Sequence, residues 1–75
     1  MDLELMQIQL TQDLYELAEE YEGAASNCRI AAKGSDTAEE IMMFEESAEH
    51  NFVMAQMYRR LAENAETLIS IYAEG

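Results

Sequence analysis

Apolar residues in the first half of the chain recur in alternating steps of three and four, at Leu3, Leu10, Leu14, Leu17, Tyr21, Ala24, Cys28 and Ala31, with Gln7 filling the one broken position. Downstream the same rhythm runs without a skip through Ile41, Phe44, Ala48, Asn51, Ala55, Tyr58, Ala62, Ala65, Ile69 and Tyr72. A three-four alternation is the mark of a helix with one buried seam. The spacing therefore predicts two long helices, over about residues 2–33 and 37–73, the second on the order of 55 Å long at 1.5 Å per residue. Between them lies the only clear punctuation, Lys33-Gly34-Ser35-Asp36-Thr37. Gly34 suits a left-handed position closing the first helix, and either Asp36 with Glu39 or Thr37 with Glu40 has capping-box spacing for the second. A turn of about residues 34–36 makes the helices antiparallel neighbours, so the expected fold is all-α, a two-helix hairpin forming one domain over residues 1–75.

Alanines recur at intervals of seven on both helices, Ala18, Ala25 and Ala32 on the first and Ala48, Ala55 and Ala62 on the second. Residues this small let helix axes approach closely, so an Ala-rich, close-packed seam is the expected contact between the helices. Cys28, set among Ala24, Ala25, Ala31 and Ala32, reads as a small buried filler, and Asn51 as a buried polar residue fixing register. A second apolar row on helix two, Met43, Met54, Met57, Leu61 and Leu68 with His50, is wider than one neighbouring helix covers. Leu5, Met6 and Ile8 extend it near the open end of the hairpin. The expected cover is a second copy, giving a dimeric four-helix bundle; a groove for a foreign helix, as in an adapter or co-chaperone, is the alternative.

Composition changes this picture in three ways. The chain has 75 residues, and a core of that size seldom supplies more than roughly 3–5 kcal/mol without a staple or a partner. One Cys and no second thiol remove an internal disulfide and suit a reducing cytoplasm, while the absence of a signal-like start or a long uncharged apolar run points to a protein that is neither exported nor membrane-spanning. Sixteen acidic side chains against four basic ones give a net charge of −12, which disfavours direct binding to nucleic acid or an anionic membrane and favours a basic protein partner.

The acids carry the candidate chemistry. Glu16, Glu19 and Glu20 on helix one and Glu45, Glu46 and Glu49 on helix two resemble the paired ExxE and ExxD segments of MazG-like nucleotide pyrophosphohydrolases. That resemblance implies Mg²⁺ held between carboxylates on facing helices, the two segments lying at one height if residue numbers summing to about 70 are opposite. Facing speaks against it, since Leu14, Leu17 and Tyr21 in the seam turn Glu16 and Glu19 away, and Ala48 and Ala55 do the same for Glu46 and Glu49. His50 with Glu46 or Glu49 would offer a metal only a ligand pair, so neither a catalytic nor a metal site is expected, and no cofactor.

In size and charge the chain resembles small acidic phage inhibitors, among them anti-CRISPR and antirestriction proteins. This implies an acidic face, here Glu16, Glu19, Glu20, Glu39, Glu45, Glu46 and Glu49, that occupies the basic nucleic-acid-binding surface of a target. Of the cations, Arg29 and Lys33 are expected to meet Asp36, Glu39 and Glu40 around the turn. Arg59 and Arg60 are expected near Asp13 and Tyr15, pairing there or across a dimer interface; an alternative is that with Tyr15 they bind a small anion between protomers, in the manner of phage sponges for cyclic nucleotides.

Overall fold

The computed structural model describes residues 3–74, with side chains described for residues 4–68, 70 and 71. It contains α1 (Leu3–Lys33) and α2 (Ala38–Glu74), packed against each other along their length. Position 2 lies outside the described residues, as do the side chains of Leu3, Ile69 and Tyr72, which the rhythm also assigns to the seam. The hairpin is a rod of 57 × 17 × 13 Å. Its radius of gyration is 17.0 Å, against roughly 11 Å for a compact chain of this length.

Thr37 starts α2: its hydroxyl accepts the Glu40 backbone N–H at 3.2 Å and its carbonyl accepts the Ile41 N–H at 3.1 Å. Of the two capping pairs that the sequence offers, Thr37 with Glu40 is the one used, and Glu39 and Glu40 place negative charge beside the positive end of the helix dipole. The other end of the turn departs from expectation. Gly34 does not adopt a positive φ. Instead α1 closes by tightening, with the Gly34 N–H donating to the Ile30 and Ala31 carbonyls at 3.2 Å, Ser35 N–H donating to Ala32 O at 3.3 Å, and Ser35 Oγ donating to Ala31 O at 2.8 Å.

Two glycines are thereby freed from any conformational duty. A Cβ at Gly34 would touch only carbonyl oxygens at 3.8 and 3.9 Å, and one at Gly23, exposed in the middle of α1, would meet nothing within 4 Å. Gly23→Ala and Gly34→Ala are therefore each expected to stabilise the protein, by about 0.4–1 kcal/mol. Thermal unfolding of the two variants checks this; a fall in midpoint for Gly34→Ala would restore the left-handed turn.

The core is made of alanine. Among the described residues the buried apolar ones are Ala18, Ala25 and Ala32 on α1 and Ala48, Ala55 and Ala62 on α2, joined by Thr11, whose hydroxyl donates to Gln7 O at 2.9 Å. Thr11 continues the α1 alanine row at the same interval of seven. The wider row that the sequence rhythm marks as the seam of α1 lies elsewhere: Leu10 is 56 % and Leu17 37 % exposed, while Leu14, Tyr21, Ala24, Cys28 and Ala31 are half-buried. Alanine takes the contact because two helices can approach furthest where both present only a methyl group, which leaves the bulkier neighbouring row turned to one side.

Cross-helix contacts fix the register. Tyr21 stacks on Tyr58 with ring centroids 5.5 Å apart, Asn51 Nδ2 lies 3.9 Å from Cys28 Sγ, Glu22 pairs with Arg59, and Arg29 lies over the Phe52 ring. Opposed residue numbers thus sum to about 80, not 70. Side chains lean toward the N-terminus of their own helix, which in an antiparallel pair adds about one position from each helix. The rest of the offset comes from the non-helical residues 34–37, which carry the chain along the rod before α2 begins.

Candidate functional site: an uncharged face and an acidic surround

Two different sides flank the alanine seam. On one, the residues in cross-helix contact are polar or aromatic. Arg59 Nη2 pairs with Glu22 Oε1 at 2.5 Å, Arg29 lies 5.7 Å from the Phe52 ring centroid, and the Tyr15 hydroxyl donates to the Glu66 carboxylate. Desolvation, together with the Glu66 and Glu63 carboxylates, pushes the Tyr15 hydroxyl above its ordinary pKa, and Arg59 partly opposes this. Within one hairpin, then, Arg59 is engaged by Glu22 and Tyr15 by Glu66. Arg60, the next residue on α2, projects about 100° away from Arg59, beside Phe52, Val53, Gln56 and Met57. Arg29 stacks on Phe52; among the described residues the turn acids Asp36, Glu39 and Glu40 form no ion pair with Arg29 or Lys33.

The other side of the seam is a continuous face without charge. On α1 it comprises Leu10, Leu14, Leu17, Tyr21, Ala24, Cys28 and Ala31; on α2 it comprises Phe44, Ser47, Asn51, Met54, Tyr58, Leu61, Ala65 and Leu68. None of these residues is buried, and none is acidic or basic. Cys28, expected as a buried filler, is half-buried here because it belongs to the wide row and not to the alanine row. Asn51 is likewise half-buried, its amide donating to Ser47 O at 2.9 Å in its own helix.

Of the residues expected at an oligomer interface, Met54, Leu61 and Leu68 lie on this face. Met43, His50 and Met57 follow on the adjoining row of α2, about 50° further round the helix, and are exposed.

The acids surround that face. Glu16, Glu19, Glu20, Glu39, Glu45, Glu46 and Glu49 are all exposed. The corrected register separates the two ExxE segments, because Glu19 stands opposite residues near 61 while Glu46 and Glu49 stand opposite residues near 31–34. They are roughly 20 Å apart along the rod at 1.5 Å per residue. Among the described residues no three His, Cys, Asp or Glu side chains gather in a way that could hold a metal ion. No described helix is long and apolar enough to cross a membrane.

Comparison with known proteins adds no family assignment: no protein-family model matches the chain, and neither curated proteins nor solved structures give a significant match. The six alanines marked by the sequence are the contact residues found; what sequence reasoning missed is that Thr11 continues their row and that the leucine row of α1 stands to one side of it. The signal was present in the alanines and Thr11 at intervals of seven, which mark the contact row more sharply than the leucines do.

Proposed function

We propose that this protein works by protein–protein contact without catalysis, as a self-associating helical hairpin whose acidic surface occupies the basic nucleic-acid-binding surface of a target. The observation that carries the reading is the separation of the two surfaces. Every position of the face from Leu10 to Ala31 and from Phe44 to Leu68 is uncharged, and the exposed glutamates all lie outside it. A surface meant only to keep a rod dissolved would intersperse both signs; with 16 acids and 4 bases the repulsion goes largely uncompensated. Such an array suits electrostatic steering toward a cationic cleft. An anti-defence role of the phage-inhibitor type, in a cytoplasmic setting, is the most concrete form of the proposal.

The second element is a dimer forming a four-helix bundle through the uncharged face. Area supports it. A folded monomer of 8.5 kDa exposes roughly 4,700 Å² by the usual scaling with mass, whereas this chain exposes 5806 Å². The excess, roughly 1,100 Å², is of the size that one partner contributes to a stable interface, about 800 Å² or more.

Charge reversal tests the acidic surface. The triple variant Glu45→Lys, Glu46→Lys, Glu49→Lys is expected to keep its helix content by circular dichroism and to lose capture of basic nucleic-acid-binding proteins from host lysate. Wild-type capture is expected to fall at least tenfold as salt rises to about 1 M, where the Debye length shrinks to about 3 Å. Capture that survives both high salt and the triple variant would transfer the function to the Met54, Met57 and Leu61 surface, as an adapter holding a partner helix.

A further inference from the structure

The uncharged face is not uniform along the rod, and its unevenness specifies how a second copy sits on it. Toward the open end of the hairpin the face is bulky, with Leu10, Leu14 and Leu17 on α1 and Leu61 and Leu68 on α2. Toward the turn it is small, with Ala24, Cys28 and Ala31 on α1 and Ser47 and Asn51 on α2; Met54 and Phe44 are the larger side chains of that half. Tyr21 and Tyr58, stacked at 5.5 Å with planes 9° apart, stand between the halves. Resting on the self-association reading above, we infer that two hairpins pair face to face with their long axes antiparallel, about a twofold axis passing beside the tyrosine pair, so that the bulky half of each rod seats on the small half of the other.

Two twofold arrangements bring the faces together, and packing separates them. With the axis along the rods, α1 lies against the partner's α2 at the same height. Leu10 then meets the partner's Leu68 and Leu17 the partner's Leu61 at one end, while Cys28 meets the partner's Asn51 and Ala31 the partner's Ser47 at the other. One end is overfilled and the other leaves voids, and interiors tolerate neither. With the axis across the rods, α1 packs antiparallel on the partner's α1. Leu10 then meets the partner's Ala31, Leu14 the partner's Cys28 and Leu17 the partner's Ala24, a large residue against a small one at each level, with Tyr21 facing its own copy. On α2, Ser47 meets the partner's Leu68 and Met54 the partner's Leu61, while Asn51 meets the partner's Ala65. Large-against-small facing positions are how layers interdigitate to native density.

The single natural thiol makes a direct test. In the antiparallel dimer position 14 of one chain lies beside Cys28 of the other, whereas within one chain the two are roughly 20 Å apart at 1.5 Å per residue, far beyond the reach of a disulfide. Leu14→Cys treated with a mild oxidant is expected to run as a covalent dimer on a non-reducing gel, and the wild-type protein as a single chain. A second arm uses the other helix: Asn51→Cys with Ala65→Cys in a Cys28→Ala background is expected to cross-link in the same way, and keeps the test in force if Leu14→Cys loosens the fold. Native mass spectrometry of the wild-type protein is run alongside. A dimeric mass with no covalent dimer from either variant would overturn the antiparallel arrangement, and a monomeric mass would overturn self-association itself.

Discussion

Leu61→Glu is expected to convert the protein to a monomer and to remove most of its helical signal at micromolar concentration. The reason lies in what the hairpin buries alone. Its buried apolar side chains, among the described residues, are six alanines, and no large side chain is fully buried. Alanine contributes little apolar area, so at about 25 cal/mol per Å² the seam by itself cannot offset the entropy of ordering two long helices. On the proposed self-association, folding is coupled to covering the uncharged face. A carboxylate at position 61 would be desolvated by the second copy with no cation on that face to meet it, a cost of several kcal/mol per charge.

Val53 provides the control, because it is 49 % exposed, as Leu61 is, but lies on the back of α2. Val53→Glu should change stability by no more than about 0.5 kcal/mol. Sedimentation and circular dichroism of the two variants decide the matter; equal behaviour would mean that the face carries no special burden.

The second large effect concerns the seam. Ala55 is fully buried at its centre, and Ala55→Leu is expected to destabilise by about 1–3 kcal/mol because the added carbons force the helix axes apart. That corresponds to a fall of roughly 4–8 °C in midpoint for each kcal/mol in a domain of this size. The sign is the informative part. In a hairpin held at ordinary separation, leucine at this position would fill space and raise the midpoint, so thermal unfolding that shows no fall would contradict the alanine contact.

The two helices and the turn between them were legible because heptad spacing and the Gly-Ser-Asp-Thr break are local signals. The six alanines of the contact were legible too, from their interval of seven; that the leucine row of α1 stands apart from them was less so. Leu10 and Leu17 have the stronger hydrophobic signature, yet the close approach goes to Thr11 and Ala18, and hydrophobicity alone does not report how near two axes come. Register failed for a related reason: the rise of residues 34–37 and the lean of the side chains are set by three-dimensional geometry and leave no mark on periodicity. Gly34 read as a left-handed cap on residue type, while Ser35 Oγ and the tightened last turn satisfy the same carbonyls without one. The acidic surface could be read directly, since charge needs no partner to be seen. Its separation from the apolar rows could be read as well, because the acids mostly fall outside the seam and the second apolar row.

The central question for this protein is whether one hairpin is a complete molecule. Sedimentation equilibrium of the wild-type protein at micromolar concentration, with the helical signal followed over a dilution series, answers that most directly. A mass of about 17 kDa, twice the 8.5 kDa chain, is expected, with an unfolding midpoint that drops as the protein is diluted, as mass action requires when folding and pairing are coupled. A single 8.5 kDa species that keeps its helix and its midpoint at every concentration would contradict it.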